Sequence, residues 1–223
     1  MIPAIPKIKR MAAQRIDCGR IATRHRHQSF PPQELIKASG LRRFPEEEFL
    51  MRTIDRDIRR YLEIERLLNA FFATFDYCLP RCITPEIQNS GHKPTAACCT
   101  KKYYALYDLD HPAFELLRRE RELLFGKPEQ YHWNDPVSPC PYHNPAKGCV
   151  LATHKSPVCL SFLCRSAIDV LRNTFGIYSY DYLGVHYALE WILTGEFSEH
   201  QYNEFRNSIL DMTLKVERSA VSS

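Results

Sequence analysis

The chain has 223 residues, 44% hydrophobic and 25% charged, enough apolar material to bury the core of one domain with appendages. No apolar run approaches the roughly 20 residues of a membrane span, and no secretory-type apolar stretch opens the chain, so the sequence predicts a cytoplasmic protein with no membrane span. The net charge of +4 is uneven: residues 1–43 hold ten Lys and Arg against only Asp17 and Glu34, and the remainder is net acidic.

Residues 1–43 carry short apolar spots and four prolines, Pro3, Pro6, Pro31 and Pro32, and are expected to form a basic, flexible N-terminal arm. Its charge gives a weak indication of nucleic acid or another anionic partner, and its Arg-rich, acid-poor character also suits a targeting peptide. The second unit, residues 44–218, reads as a helical domain.

Apolar residues at steps of three and four (Leu50, Ile54, Ile58, Tyr61, Leu62, Leu68, Phe72, Phe75) predict a long amphipathic helix over 45–75. Pro45 suits its first turn, and Glu46, Glu47 and Glu48 complement its positive end. A second helix is framed by Asp110 as N-cap, Pro112 and the terminating Gly126, with Phe114, Leu117 and Leu124 inward and the run 118–122 solvated. A third is expected from Leu160 to Gly176, a fourth over 180–193, and a fifth from the capping box Ser198 to Gln201. Short β pieces are expected around 101–107 and 149–152. The fold class is therefore mainly α, with long irregular loops rich in Cys and Pro.

Those loops, 76–99 and 127–159, are unusually long for a compact domain unless something else organises them, and a metal site would do so. Cysteine spacing runs Cys78-x3-Cys82, Cys98-Cys99, then Cys140-x8-Cys149-x9-Cys159-x4-Cys164, with Cys18 alone in the arm. In a cytosolic chain this density points to thiolate ligation more than to disulfides. Zinc and iron–sulfur clusters both need about four such ligands converging from separate loops. Cys99, Cys140, Cys149 and Cys159 are the expected metal ligands, with Cys98 and Cys164 as close alternates and Cys78 and Cys82 as further thiols. His143 and His154 are each placed to replace a cysteine or to hydrogen-bond to a sulfur. His186 reads as a packed histidine, and the aromatics Tyr103, Tyr104, Tyr107, Tyr131, Trp133, Tyr178, Tyr180 and Tyr182 as core cover, a pocket lining near the cluster or carriers of electrons.

The order Ala97-Cys98-Cys99, Cys140, Gly148-Cys149 and Ser156-Pro157-Val158-Cys159, followed by Phe162 and Cys164, resembles the zinc- or iron-chelating cysteine-rich family. Members of that family show a Cys-x2-Cys-x2-Cys-Cys start, two spaced cysteines and an Arg-Pro-x2-Cys ending. The resemblance covers residues 78–165; here Cys78-x3-Cys82 lies well upstream of the pair, and Lys155-Ser156 stands before Pro157. It implies metal or cluster binding and leaves the substrate open. The resulting expectation is a protein carrying a [4Fe–4S] cluster, with a protein or redox partner. Two alternatives stand beside it: a structural zinc module that presents the arm and C-terminal helices to a partner, and a thiol redox enzyme using Cys98 and Cys99 or Cys78 and Cys82. Whether the chain is an enzyme stays open at this point, because no hydrolase triad, Rossmann fingerprint or phosphate loop is present.

Overall fold

Apolar positions recurring every three or four residues determine the architecture, as a computed structural model of the chain displays. It describes residues 45–89, 103–106, 111–131, 140–144 and 148–221. All lie in the unit Arg43–Ser223; the arm lies outside the described residues.

The long helix α1 spans Pro45–Thr74. Its stripe of Ile54, Ile58, Tyr61, Ile64, Leu68 and Phe71 is buried, and Phe75 continues the stripe beyond the helix end. Burying such side chains contributes about 1.5–3 kcal/mol each, so this face organises the domain. A π-helical turn, Leu79–Ile83, and the short α2, Thr84–Asn89, follow.

Helix α3, Pro112–Phe125, begins with His111 as its cap: the ring Nδ1 accepts from the Ala113 N–H at 3.3 Å, where the sequence suggested Asp110, a residue outside the described set. Phe114 and Leu117 face inward as expected, whereas Leu124, in the last turn of the helix, is 61% exposed. Arg121, seven and four positions from Phe114 and Leu117, falls on the same face and is buried. The charged run is thus not wholly a solvated face. Gly126 ends the helix with φ +81°, a conformation that L side chains rarely adopt.

Among the described residues the β content is one two-stranded ribbon, β1 His143–Asn144 against β2 Gly148–Cys149, while residues 103–106, the described part of the other expected piece, form a turn. The helix expected over 160–176 divides in two: α4, Pro157–Ser161, and α5, Arg165–Phe175. The Tyr180 hydroxyl donates to the carbonyl of Ser161, a group freed where the first piece ends. Gly176, at φ +62°, closes α5 in a left-handed cap.

Asp181 caps α6, Tyr182–Leu193, by accepting from the Leu183 N–H at 3.2 Å. The capping box forms as predicted, with Gln201 N–H to Ser198 Oγ at 3.3 Å and Ser198 N–H to Gln201 Oε1 at 3.0 Å, at the start of α7, Glu199–Val221. Helix α1 packs against α3, α4, α6 and α7, burying Leu160, Leu171, Leu189, Ile192, Ile209 and Met212 with its own stripe. No helix among the described residues is long and apolar enough to cross a membrane.

Candidate metal centre

The turn that carries Cys140 leads directly into the β ribbon. The His143 N–H bonds to the Cys140 carbonyl at 3.1 Å, and β1 then pairs with β2 in the register His143 to Cys149 and Asn144 to Gly148. The Val150 N–H extends the pairing to the Tyr142 carbonyl at 2.9 Å. One ribbon therefore fixes Cys140 and Cys149 relative to each other. Beneath it Cys140, Tyr142 and Leu151 form a small core of their own, covered by Tyr104, Phe125, Tyr131 and Val150. The rings of Tyr104 and Tyr131 meet Tyr142 edge-on, with centroids 5.8 and 5.3 Å away.

Cys159 reaches the same region from α4. The Ser156 hydroxyl accepts from the Cys159 N–H at 3.2 Å and itself donates to the Tyr103 carbonyl. The loop before α4 is fastened to α1 by one carboxylate. Glu65 accepts from the backbone N–H groups of His154 at 2.8 Å and Lys155 at 3.0 Å, and from the Thr153 hydroxyl at 3.0 Å. Tyr61 donates to the Lys155 carbonyl at 2.6 Å. These protein contacts fasten part of the loop whose order the sequence suggested a metal would supply.

Cys149 and Cys159 both raise the Cys140 thiol, and Cys149 raises that of Cys159. Burial pushes the Cys140 thiol up to about 11; the Tyr142 N–H directed at its sulfur opposes this, Cys159 and Cys149 add to it, and the His143 N–H opposes it again. Cys159 is also pushed up, first by burial; Ser156 pulls it back, Cys149 adds to the rise, and the Arg121 guanidinium counters it. Cys149 is exposed, so the group runs from the interior to the surface.

The other expected residues divide. Cys164 leaves the helix to become the N-cap position of α5 and, like Cys78, packs against the main helical core rather than the ribbon's small core. Cys82 is half-buried in the π-helical turn. Cys98, Cys99 and Cys18 lie outside the described residues. His143 is buried on β1, opposite Cys149. His154, also buried, sits at φ 59° and faces Glu120 through Nε2 at 3.0 Å. Half-buried His186 pairs with Glu190 at 3.2 Å. Among the described residues, no group of three or more His, Cys, Asp or Glu side chains closes on a metal-holding arrangement.

Glu65 and Arg121 were not singled out in the sequence. Both had a readable signal: Glu65 sits within the stripe Tyr61, Ile64, Leu68, and Arg121 continues Phe114 and Leu117. The class defined here is a mainly helical domain with one small two-stranded ribbon among its described residues. Compared with protein-family models, curated proteins and solved structures, the chain matches none.

Proposed function

We propose that the domain binds a metal centre through Cys140, Cys149 and Cys159, with Cys99 as the fourth ligand expected from the sequence. A [4Fe–4S] cluster is the favoured occupant. What supports this reading is that Cys149 and Cys159, from the ribbon and from α4, both lie near enough to Cys140 to raise its thiol, while backbone N–H groups are directed at the Cys140 sulfur. Such donors stabilise thiolate over thiol, which is the form a metal binds. The donor chemistry fits zinc or iron, and contraction of a loosely gathered set is the ordinary course when ligation and ordering are coupled. When bound, a cluster supplies electron exchange and zinc supplies a fixed crosslink between the ribbon and α4. The protein's own residues position the sulfurs: Glu65 and Ser156 hold Cys159, and the ribbon holds the other two.

The elevated thiols weigh against a metal-free redox enzyme at this cluster, since a buried thiol pushed to about 11 keeps its proton near neutrality and attacks disulfides slowly. Metal displaces that proton. The deciding experiment is anaerobic purification followed by metal and sulfide analysis with a visible spectrum. Iron, acid-labile sulfide and broad thiolate-to-iron absorption are expected; stoichiometric zinc without colour would select the structural module, and neither metal would overturn the reading.

A further inference from the structure

Helix α6 is apolar on both sides and covered on only one. Val185, Ala188, Leu189, Ile192 and Leu193 are buried where the helix packs against α1 and α4. On its other side Leu183, Tyr187 and Trp191 fall at steps of four, one row along the helix, and Tyr182 widens the row at its start. These four side chains are between 37% and 47% exposed. The rings of Tyr187 and Trp191 stack with centroids 6.2 Å apart, and Trp191 meets Phe197 at the same separation. The apolar surface therefore continues onto the turn after the helix. The backbone fixes that junction, since the N–H groups of Glu196 and Phe197 both donate to the Trp191 carbonyl, at 2.9 and 3.2 Å.

Single exposed apolar side chains are ordinary, but a connected row of large ones on a helix that is apolar all round marks a surface that a partner covers. Tyr and Trp are the residues that most often anchor such surfaces. The charges around the row select the partner. Between Arg172 and Arg206 the chain has no Lys or Arg and holds Asp181, Glu190, Glu196, Glu199 and Glu204. Three of these are already matched: Glu190 faces His186, Glu199 faces Arg60 and Glu204 faces His200. Asp181 and Glu196 are exposed and, among the described residues, enter no ion pair. One carboxylate thus lies beyond each end of a 12-residue helix about 18 Å long. Phosphate backbones and anionic lipid surfaces are held by Lys and Arg, which this face lacks. A cation gains here twice, from the carboxylates and from a seat over the Tyr and Trp rings.

We infer that the outer face of α6 is a docking surface for an amphipathic helix of a partner protein, one whose apolar stripe is flanked by Lys or Arg. Side chains four apart form the rows that interdigitate when two helices pack, so the partner seats its stripe along Leu183, Tyr187 and Trp191. Its basic flanks reach Asp181 and Glu196, and the aliphatic stems of those flanking residues cover the ring edges. None of the thiol residues takes part, so the docking surface stands or falls apart from the metal centre.

The test uses the full chain, reduced, titrated calorimetrically with a synthetic helical peptide that carries a leucine stripe flanked by lysines, and with its twin in which glutamate replaces each lysine. The native protein should bind the lysine peptide with a negative heat-capacity change and more weakly as salt rises. The glutamate peptide should bind roughly tenfold more weakly or worse, because like charges then face each other. L183K/Y187K, which places cations at two exposed positions, should keep the native melting temperature and helical circular dichroism and lose the lysine peptide. D181N/E196Q, in which Asn still caps α6, should bind it several-fold more weakly with a flatter salt dependence. If L183K/Y187K does not fold, L183K alone is read by the same criteria, and failure of both to fold overturns the face as a free surface. Equal binding of the two peptides, or a Kd for the lysine peptide weaker than about 1 mM, overturns the docking surface. So does binding to phosphatidylserine vesicles in preference to the peptide, or self-association that L183K/Y187K abolishes, since a lipid surface or a second copy would then be the occupant.

Discussion

The two faces of α1 bury their neighbours by different means. Toward α6 and α7 the heart of the contact is apolar, Ile64, Leu68 and Phe71 against Leu189, Ile192 and Ile209, with Glu63 bonded to Tyr202 and Arg206 at its edge. Toward the thiol site it is polar: Tyr61 and Glu65 grip the backbone of the 153–155 loop. Apolar packing gives the domain its shape, while the polar grip sets where Cys159 sits. One region should therefore be breakable without the other.

The largest effect is expected from F71A, which empties a fully buried site between aromatic neighbours Phe75 and Tyr180. A loss of about 3–5 kcal/mol, with helix content and thiol site lost together in one thermal or denaturant transition, would confirm the apolar face as the common foundation. Next is E65A, which strands two backbone N–H groups and a hydroxyl. About 2–3 kcal/mol should go, with helical circular dichroism kept and Co2+ binding weakened, because the loop before Cys159 is released. If E65A left Co2+ affinity unchanged, the grip would have no bearing on the site.

C149S should be nearly silent in the metal-free protein, below about 0.5 kcal/mol, since the side chain is exposed. The metal-induced rise in melting temperature should nevertheless disappear. C164S offers the reverse contrast: it disturbs a half-buried packing position and should leave metal affinity in place.

The smallest effect separates two glutamates two residues apart. Glu63 is held below its ordinary 4.5 by hydrogen bonds from Tyr202 and then Arg206; Glu65 is raised above 4.5 by burial, against its three donors. The signs are opposite. Glu63 contributes stability that is present above pH 4.5 and lost as pH falls through its lowered folded value. Glu65 favours the folded state most while protonated, and that advantage fades as pH rises from 4.5 through its raised folded value. E63Q should flatten the acid limb of the stability profile by well under about 1 kcal/mol, because the Glu63–Arg206 pair is partly exposed. Denaturant midpoints measured from pH 3 to 6 read this directly, on the order of the carboxylate range.

Much of the scaffold was legible because it obeys local rules: the period of α1, Pro112 with Gly126, and the box at Ser198 and Gln201 all appear where the residues place them. The split after Ser161 was not legible, since Leu163 and Leu171 keep a helical spacing across it; the break is set by a tertiary contact, the Tyr180 hydroxyl on the Ser161 carbonyl. At the site, spacing and turn-forming neighbours made Cys140, Cys149 and Cys159 candidates, and the ribbon ties the Cys140 turn to Cys149. Cys164 could not be separated from them, because its place against the main core depends on that same split. Glu65 and Arg121 were hidden by their chemistry: charged residues are assigned outward by default, and only their position on an apolar face argued otherwise.

Glu65 reads the 153–155 loop mostly through backbone N–H groups, which every residue but proline carries. The loop is therefore free to vary in sequence under a fixed reader. Lys155 can be exchanged with loss of its own contact to Asn69 but not of the grip, and position 154, at φ 59°, should accept Gly or Asn readily and a β-branched residue poorly. Related chains would then keep an acidic residue on α1 opposite a loop of changing composition, a pattern that marks the site by its anchor instead of by its cysteines.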